Sequence, residues 1–286
     1  MKKLIALTLL ISIPISACSS DSKIAISPSA SIQPSNPIKS STPTREPSPV
    51  VTISVTPLPA IVKSTDNPIA KTYRMNELKD IVPIDPNGNK KVVLLTFDDG
   101  PKDKTMIEPM LEILVKHKAK AIFFLNGYRI KQKPELLKLL HQHGQIIGNH
   151  AWDHIQLKKE TNEKIDQQLR DVQVIVKELT GSTPVFFRPP FASYNDYVKV
   201  AAKSEKMLFM TWSNGSLDWD LENKGFSVET KAAAVITNVM KLLHSGSNIL
   251  MHELPWTVQA LDDLLTQLEA KGYTFVDPRS IDTEME

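Results

Sequence analysis

Short apolar runs alternate with longer amphipathic stretches between residues 92 and 276. Residues 92–97 form a continuous apolar run, as expected for a strand covered on both faces, and residues 106–118 follow with helical spacing of their apolar positions. The same alternation predicts further strands at 121–125, 146–147, 185–187, 207–212, 248–251 and 273–276, and helices at 134–143, 160–179, 196–205, 228–243 and 257–271. Repeated βα units predict an α/β fold with a parallel sheet, and they leave open whether the sheet closes into a barrel.

The first 17 residues have the pattern of an export signal. Lys2 and Lys3 precede an apolar run at residues 4–15, which is too short to span a bilayer. The small residues before Cys18 resemble the lipobox of bacterial lipoproteins, which are cleaved before this cysteine and lipidated on it. We therefore expect Cys18, the only cysteine of the chain, to carry a lipid anchor in the membrane. The alternative is an ordinary secretory signal in which Cys18 has no role.

Residues 18–70 are dominated by Ser, Thr and Pro and contain few aromatic residues. Such a segment buries too little apolar surface to offset its ordering entropy, so we expect a disordered linker. Residues 71–286 are long enough for one domain with a substantial core. We expect this domain to be a monomer.

The charge pattern limits the class of partner. The chain has 34 Lys and Arg against 32 Asp and Glu, which gives a formal net charge of +2. It contains no basic block and no basic stripe interleaved with aromatic residues, so we expect no nucleic acid partner. Charges of both signs are mixed along the predicted helices, as is typical of solvated faces.

Polar residues cluster just after the predicted strands, where parallel α/β folds place their active sites. Asp98 and Asp99 end the first predicted strand, and Gly100-Pro101 turns the chain away from it. Neighbouring side chains on a regular strand face opposite ways, so two carboxylates share a site only where the strand ends. Taken alone, the pair is better interpreted as a solvated turn.

A pair of histidines follows a second predicted strand. His150 and His154 stand four residues apart, so that on one face of a helical turn they could bind one metal ion. Many such pairs only satisfy hydrogen bonds, and the pair alone does not decide between the two interpretations. The histidines that lie on predicted helices without a partner motif are interpreted as structural or solvated: His117, His141, His143 and His244.

Five ordered segments resemble the motifs of the polysaccharide deacetylase family, also called the NodB-homology domain or carbohydrate esterase family four. They are TFDDGP (96–101), HAWDH (150–154), RPPF (188–191), LDW (217–219) and LMH (250–252). The similarity covers essentially the whole domain, and it implies a distorted (β/α) barrel. It also implies an enzyme that removes acetyl groups from a polysaccharide.

The resemblance implies roles for the residues of these motifs. Asp99, His150 and His154 would hold one divalent metal ion, expected to be Zn²⁺, with Co²⁺ or another divalent ion as the alternative. Asp98 would be the general base for the attacking water, and His252 the general acid for the leaving amine.

The remaining motif residues would support these groups. Arg188 would orient and charge-balance Asp98, and Asp218 would pair either with Arg188 or with His252. The backbone N–H of Phe191 would stabilise the oxyanion. The pocket for the acetyl methyl would be lined by Trp219 and Leu250, which outside the family frame are equally well interpreted as core residues.

Two positions depart from the family pattern. Ala151 stands where the family usually has a Ser or Thr whose hydroxyl supports the metal-binding loop, so we expect weaker metal binding unless another group replaces it. Ala192 stands where the family usually has Gly, and it would be strained if that position needs a positive φ.

The expected function is metal-dependent hydrolysis of N-acetyl groups from an N-acetylglucosamine polymer on the extracellular face of a bacterial membrane. Peptidoglycan is the expected substrate, because a lipid-anchored protein with a long linker meets it first. Chitin oligomers, poly-N-acetylglucosamine and acetyl-xylan are the alternative substrates. A carbohydrate-binding surface lipoprotein with weak catalysis is the alternative from another class, suggested by Ala151 and Ala192.

Overall fold

The computed structural model describes residues 69–284. The predicted export signal, Cys18 and nearly all of the predicted linker lie outside the described residues, so their boundaries and roles stay predictions. Within residues 69–284, no helix combines the length and the apolar character needed to cross a membrane.

Strands and helices alternate along the described chain. Its strands are β1 (Tyr73–Met75), β2 (Ile81–Pro83), β3 (Val92–Gly100), β4 (Ala121–Leu125), β5 (Ile146–Asn149), β6 (Phe186–Phe187), β7 (Leu208–Phe209), β8 (Asn214–Gly215), β9 (Ser247–His252) and β10 (Thr274–Phe275). Its helices are α1 (Lys104–Lys116), α2 (Gly127–Gln132), α3 (Pro134–Gln142), α4 (Asn162–Thr180), α5 (Asp196–Ser204), α6 (Val228–Leu242) and α7 (Pro255–Ala270). Each predicted strand and helix is therefore found, in the predicted order, from β3 onwards.

The strands from β3 to β10 form one parallel sheet that curls into a half-barrel. Their order is β7-β6-β5-β4-β3-β9-β8, and β10 pairs with the start of β3. The outer strands β7 and β8 have no ladder between them in the described part of the chain, so the barrel is incomplete. The expected α/β barrel-type fold is confirmed in this half-barrel form.

The residues of β3 explain why its sequence is apolar without alternation. Val93, Leu95 and Phe97 pack into the core under the helices, whereas Val92 and Leu94 pack into a second core inside the curl. Both faces are therefore buried, as expected for a parallel sheet. The inner face becomes polar only at the carboxyl end of the strand.

Four elements were not predicted: β1, β2, α2 and β8. The antiparallel pair β1–β2 and strand β8 have only two or three residues each, too few for a periodic signal. Helix α2 has six residues and begins at Gly127. Conversely, the strand predicted at 207–212 is reduced to the two residues of β7.

Candidate metal centre and active site

The carboxyl ends of several strands bring the motif residues together. Asp98 on β3 is the register partner of His252 on β9. His150 directly follows β5, and Arg188 directly follows β6, where its N–H donates to the Asn149 carbonyl. Because all these strands are parallel, residues far apart in the sequence share one edge of the sheet.

Asp99, His150 and His154, the metal ligands that the family resemblance implies, lie together in one cluster. One ligand atom from each of them lies within 4.8 Å of the others. The Oδ1 atom of Asp99 is 2.9 Å from Nε2 of His154 and 3.3 Å from Nε2 of His150. Burial opposes ionisation of this carboxyl, but the two imidazoles outweigh it and hold the pKa of Asp99 well below its usual range.

The loop that carries the two histidines is not helical. Ala151 has a φ of 59° and His154 a φ of 54°, both in the left-handed region. The prediction that the imidazoles meet on a helical turn is therefore wrong, although they do converge, with ring centroids 5.2 Å apart. Side chains with a Cβ adopt this backbone region only when the surroundings enforce it.

The residues of the cluster fit a divalent metal ion. Nδ1 of His150 lies 2.7 Å from the carbonyl oxygen of Arg188, which can only accept, so we assign the proton to Nδ1. In the neutral imidazole, which is the form that binds a metal ion, the lone pair of Nε2 is then on the side of Asp99. The Oδ1 atom of Asp99 is buried and has no hydrogen bond of good geometry. Two imidazoles and one carboxylate, oriented in this way, are a common ligand set for zinc-like ions.

Asp98 forms a buried ion pair. Its Oδ1 accepts a hydrogen bond from Nη1 of Arg188 at 2.8 Å, and its Oδ2 lies 3.8 Å from Nε2 of His150. The arginine is fully buried and also donates to Thr96 Oγ1 and to the Thr211 carbonyl. The guanidinium therefore fixes the carboxylate beside the three candidate metal ligands. This is the contact expected between Arg188 and Asp98.

His252, which is partly buried, forms a second pair with the buried Asp218. Its Nδ1 lies 2.8 Å from Asp218 Oδ1, while Oδ2 of the same carboxylate accepts from the His252 N–H and from Thr257 Oγ1. Of the two partners considered for Asp218, the structure shows His252. Burial disfavours the imidazolium, but the charge and hydrogen bond of Asp218 outweigh it and raise the pKa of His252.

The segment after Arg188 forms a single 3₁₀ turn, Pro190–Ala192. Phe191 has a φ of 57° and Ala192 a φ of 48°, so Ala192 occupies the backbone region in which strain is expected for a residue other than glycine. The ring centroids of Phe191 and His154 are 4.4 Å apart, which places this turn next to the candidate metal ligands. The role of its N–H stays a prediction.

Trp219 and Leu250 both lie beside His252. The Trp219 ring is 5.3 Å from the imidazole and is partly exposed. Leu250 is buried two residues before His252 on β9, on the same face of the strand. These positions are compatible with the two walls of an acyl pocket, and that role also stays a prediction.

Two histidines away from the site have structural partners. His117 bridges two carboxylates on α7, with Asp262 at 2.9 Å and Glu269 at 3.0 Å. His244 contacts Asp80 at 2.8 Å. The sequence reasoning missed Thr96 and Thr257, whose hydroxyls contact Arg188 and Asp218. Polar residues at strand ends and helix starts were the available signal for them.

Fold and site together define an α/β half-barrel protein with a candidate divalent-metal site and two ion pairs beside it, Arg188–Asp98 and His252–Asp218. Residues 85–209 match the family model described as polysaccharide deacetylase. A peptidoglycan-N-acetylglucosamine deacetylase of Bacillus cereus is 34% identical over 193 residues, which are 66% of this chain and 67% of the relative. The chain belongs to the polysaccharide deacetylase family.

Two further comparisons set the limits of the likeness. Peptidoglycan-N-acetylglucosamine deacetylase PgdA of Listeria monocytogenes is 34% identical over 220 residues, which are 77% of this chain but 41% of the relative. The crystal structure of BA3943, a CE4 family pseudoenzyme from Bacillus anthracis, matches with a TM-score of 0.60 at 30% identity. The match covers 65% of this chain and 63% of the BA3943 chain. Since the family contains a pseudoenzyme, membership of the family does not by itself make a chain catalytic.

Proposed function

We propose that this protein is a metal-dependent deacetylase that hydrolyses N-acetyl groups of N-acetylglucosamine residues in peptidoglycan. The observation that carries the proposal is that two reactive groups, each with its own charged partner, lie beside one cluster of candidate metal ligands. Asp98 is paired with a guanidinium and His252 with a carboxylate. The names of the Listeria and Bacillus relatives support the reaction and the substrate class.

Asp99, His150 and His154 would hold the metal ion, for which Zn²⁺ is the expected identity because nitrogen ligands outnumber oxygen. When bound, such an ion polarises a carbonyl group and lowers the pKa of water. The protein supplies the orientation of the ligands. The hydrogen bond from His150 Nδ1 to the Arg188 carbonyl fixes the tautomer that can coordinate.

The two pairs divide the proton transfers. Arg188 fixes the position of the Asp98 carboxyl group, so Asp98 can accept a proton from water as the water oxygen bonds to the acetyl carbon. Asp218 holds the Nδ1 proton of His252 and favours the imidazolium, so His252 can donate its Nε2 proton to the sugar nitrogen as the C–N bond breaks. The products are acetate and a free amine. The Phe191 N–H would stabilise the developing oxyanion, and Trp219 with Leu250 would hold the acetyl methyl.

The substrate is tested by measuring release of free amine from N-acetylated peptidoglycan, chitooligomers, poly-N-acetylglucosamine and acetyl-xylan, with acetate release as the readout for the ester substrate. We expect the highest kcat/KM on peptidoglycan. A higher value on another polymer would replace the substrate but keep the reaction. Binding to these glycans without acetate release from any of them would favour the alternative of a surface lipoprotein with lost catalysis.

For location, we propose a lipid anchor at Cys18 on the extracellular face of the bacterial membrane. The support is the residue pattern before Cys18 and the Ser/Thr/Pro-rich linker that follows it. Cys18→Ala should release the protein from membranes or block its processing, as measured by cell fractionation. A variant that stays membrane-bound and is cleaved normally would contradict the anchor.

A further inference from the structure

Two residues of the metal-binding loop hold a backbone conformation that is costly for them. Ala151 and His154 both have positive φ. Left to itself, the loop would relax toward negative φ and carry the His154 imidazole away from Asp99. Some group outside the loop must therefore hold these two positions, and Ala151 carries no hydroxyl that could do so.

Gln168 on α4 holds the residue that precedes His154. Its Oε1 accepts a hydrogen bond from the Asp153 N–H at 2.8 Å, and its Nε2 donates to Asp153 Oδ2 at 2.7 Å. Gln168 is 1% exposed, although it lies on a helix that otherwise buries mostly apolar residues on this face. A buried glutamine with both ends of its amide bonded to a single residue fixes the orientation of that residue.

Asn149 holds the other strained position in the same manner. Its Oδ1 accepts a hydrogen bond from the Ala151 N–H at 2.9 Å, and its Nδ2 donates to the Leu169 carbonyl at 2.9 Å. Asn149 is fully buried. Two consecutive residues of α4 are therefore connected to the loop: Gln168 directly through Asp153, and Leu169 through Asn149. One turn of this helix supports both ends of the loop.

We propose that Asn149 and Gln168 are positioning residues for the metal ligands, and that they replace the hydroxyl support that Ala151 cannot give. The inference rests on the proposed metal site. Asn149 restrains the backbone next to His150, and Gln168 restrains the backbone next to His154. Neither side chain touches substrate in this account. Their effect is on how well the two imidazoles are placed before a metal ion binds.

The test is the Zn²⁺ affinity of the full chain, measured by competition with a chromophoric chelator. Gln168→Leu keeps the size of the side chain and removes both hydrogen bonds, and we expect it to weaken Zn²⁺ binding about 10- to 100-fold. Gln145→Leu is the matched control, because Gln145 is another buried glutamine. Its Oε1 accepts a hydrogen bond from the Ala121 N–H, away from Asn149 and from the metal-binding loop. Its Zn²⁺ affinity should stay within about threefold of wild type.

A rescue separates positioning from a general loss of stability. Gln168→Glu sets a carboxylate against the carboxylate of Asp153 and should weaken Zn²⁺ binding at pH 8. Asp153→Asn added to it exchanges donor and acceptor across the pair, and the double variant should recover the affinity. Equal affinities for wild type and Gln168→Leu, or no recovery in the folded double variant, would overturn the inference. Absence of Zn²⁺ binding in the wild-type protein would instead overturn the proposed function.

Discussion

The two adjacent carboxylates at the end of β3 give the sharpest prediction, because they are chemically alike and differ only in their contacts. Asp98→Asn removes the acceptor for the water proton and leaves the three predicted ligands unchanged. Turnover should therefore fall about 10²- to 10⁴-fold, which is about 2.7 to 5.4 kcal/mol of transition-state stabilisation. Bound Zn²⁺ should remain.

The structure adds a stability effect to this variant. Arg188 is fully buried, and Asp98 is the carboxylate that pairs with it. Breaking a buried ion pair costs about 3 to 5 kcal/mol. We expect the lower end of that range, because the amide oxygen introduced at position 98 still accepts from Arg188 and the Thr96 and Thr211 contacts remain. Urea unfolding, followed by tryptophan fluorescence, measures the change in the free energy of unfolding.

Two further variants complete the experiment. Asp98→Asn combined with Arg188→Met removes the unpaired charge, so it should recover much of the stability without recovering activity. Asp99→Asn replaces an anionic ligand by a neutral one, so Zn²⁺ should bind much more weakly and part of the activity should return at high Zn²⁺ concentration. Zn²⁺ loss in the Asp98 variant with retention in the Asp99 variant would reverse the assignment. Full activity in both would refute the catalytic account.

Two other variants probe the support of the site. Asp218→Asn should move the alkaline limb of the pH profile of kcat/KM to lower pH, because Asp218 raises the pKa of His252 and the general acid must keep its proton. An unmoved limb would contradict a role of Asp218 in raising the pKa of the general acid. Ala151→Ser should not tighten Zn²⁺ binding, because the Ala151 N–H already donates to Asn149 Oδ1. The Ala151 Cβ packs among apolar side chains, where an unpaired hydroxyl would lower the free energy of unfolding by about 1–3 kcal/mol. The test is to measure the Zn²⁺ affinity and the free energy of unfolding of the wild-type and Ala151→Ser proteins. Tighter Zn²⁺ binding by the serine variant would contradict the prediction.

The sequence predicts most strands and helices from β3 onwards, because each has a recognisable period and a clear end, but not the six-residue α2 or the two-residue β8. It also places Asp98, Asp99 and His150 at one edge of the sheet, since parallel strands share that edge. The family resemblance then singles out His252 as the general acid, with Arg188 and Asp218 as supporting partners.

The sequence does not predict the path of residues 150–154, because that loop is held from outside by Asn149 and Gln168. Gln168 falls on the buried stripe of α4, between Ile165 and Leu169. A polar residue at such a position indicates a partner, but only the tertiary structure shows that the partner is Asp153. The closure of the barrel depends in the same way on long-range pairing.

The most direct test of the central claim is release of free amine and acetate from N-acetylated peptidoglycan by the purified protein, measured with Zn²⁺, after chelation and after Zn²⁺ is restored. We predict release in equal molar amounts, loss on chelation and recovery on readdition, with the Asp98→Asn protein slower by about 100-fold or more throughout. Release that persists in the chelated protein, or that proceeds at the wild-type rate in the Asp98→Asn protein, would contradict the proposed metal-dependent deacetylation.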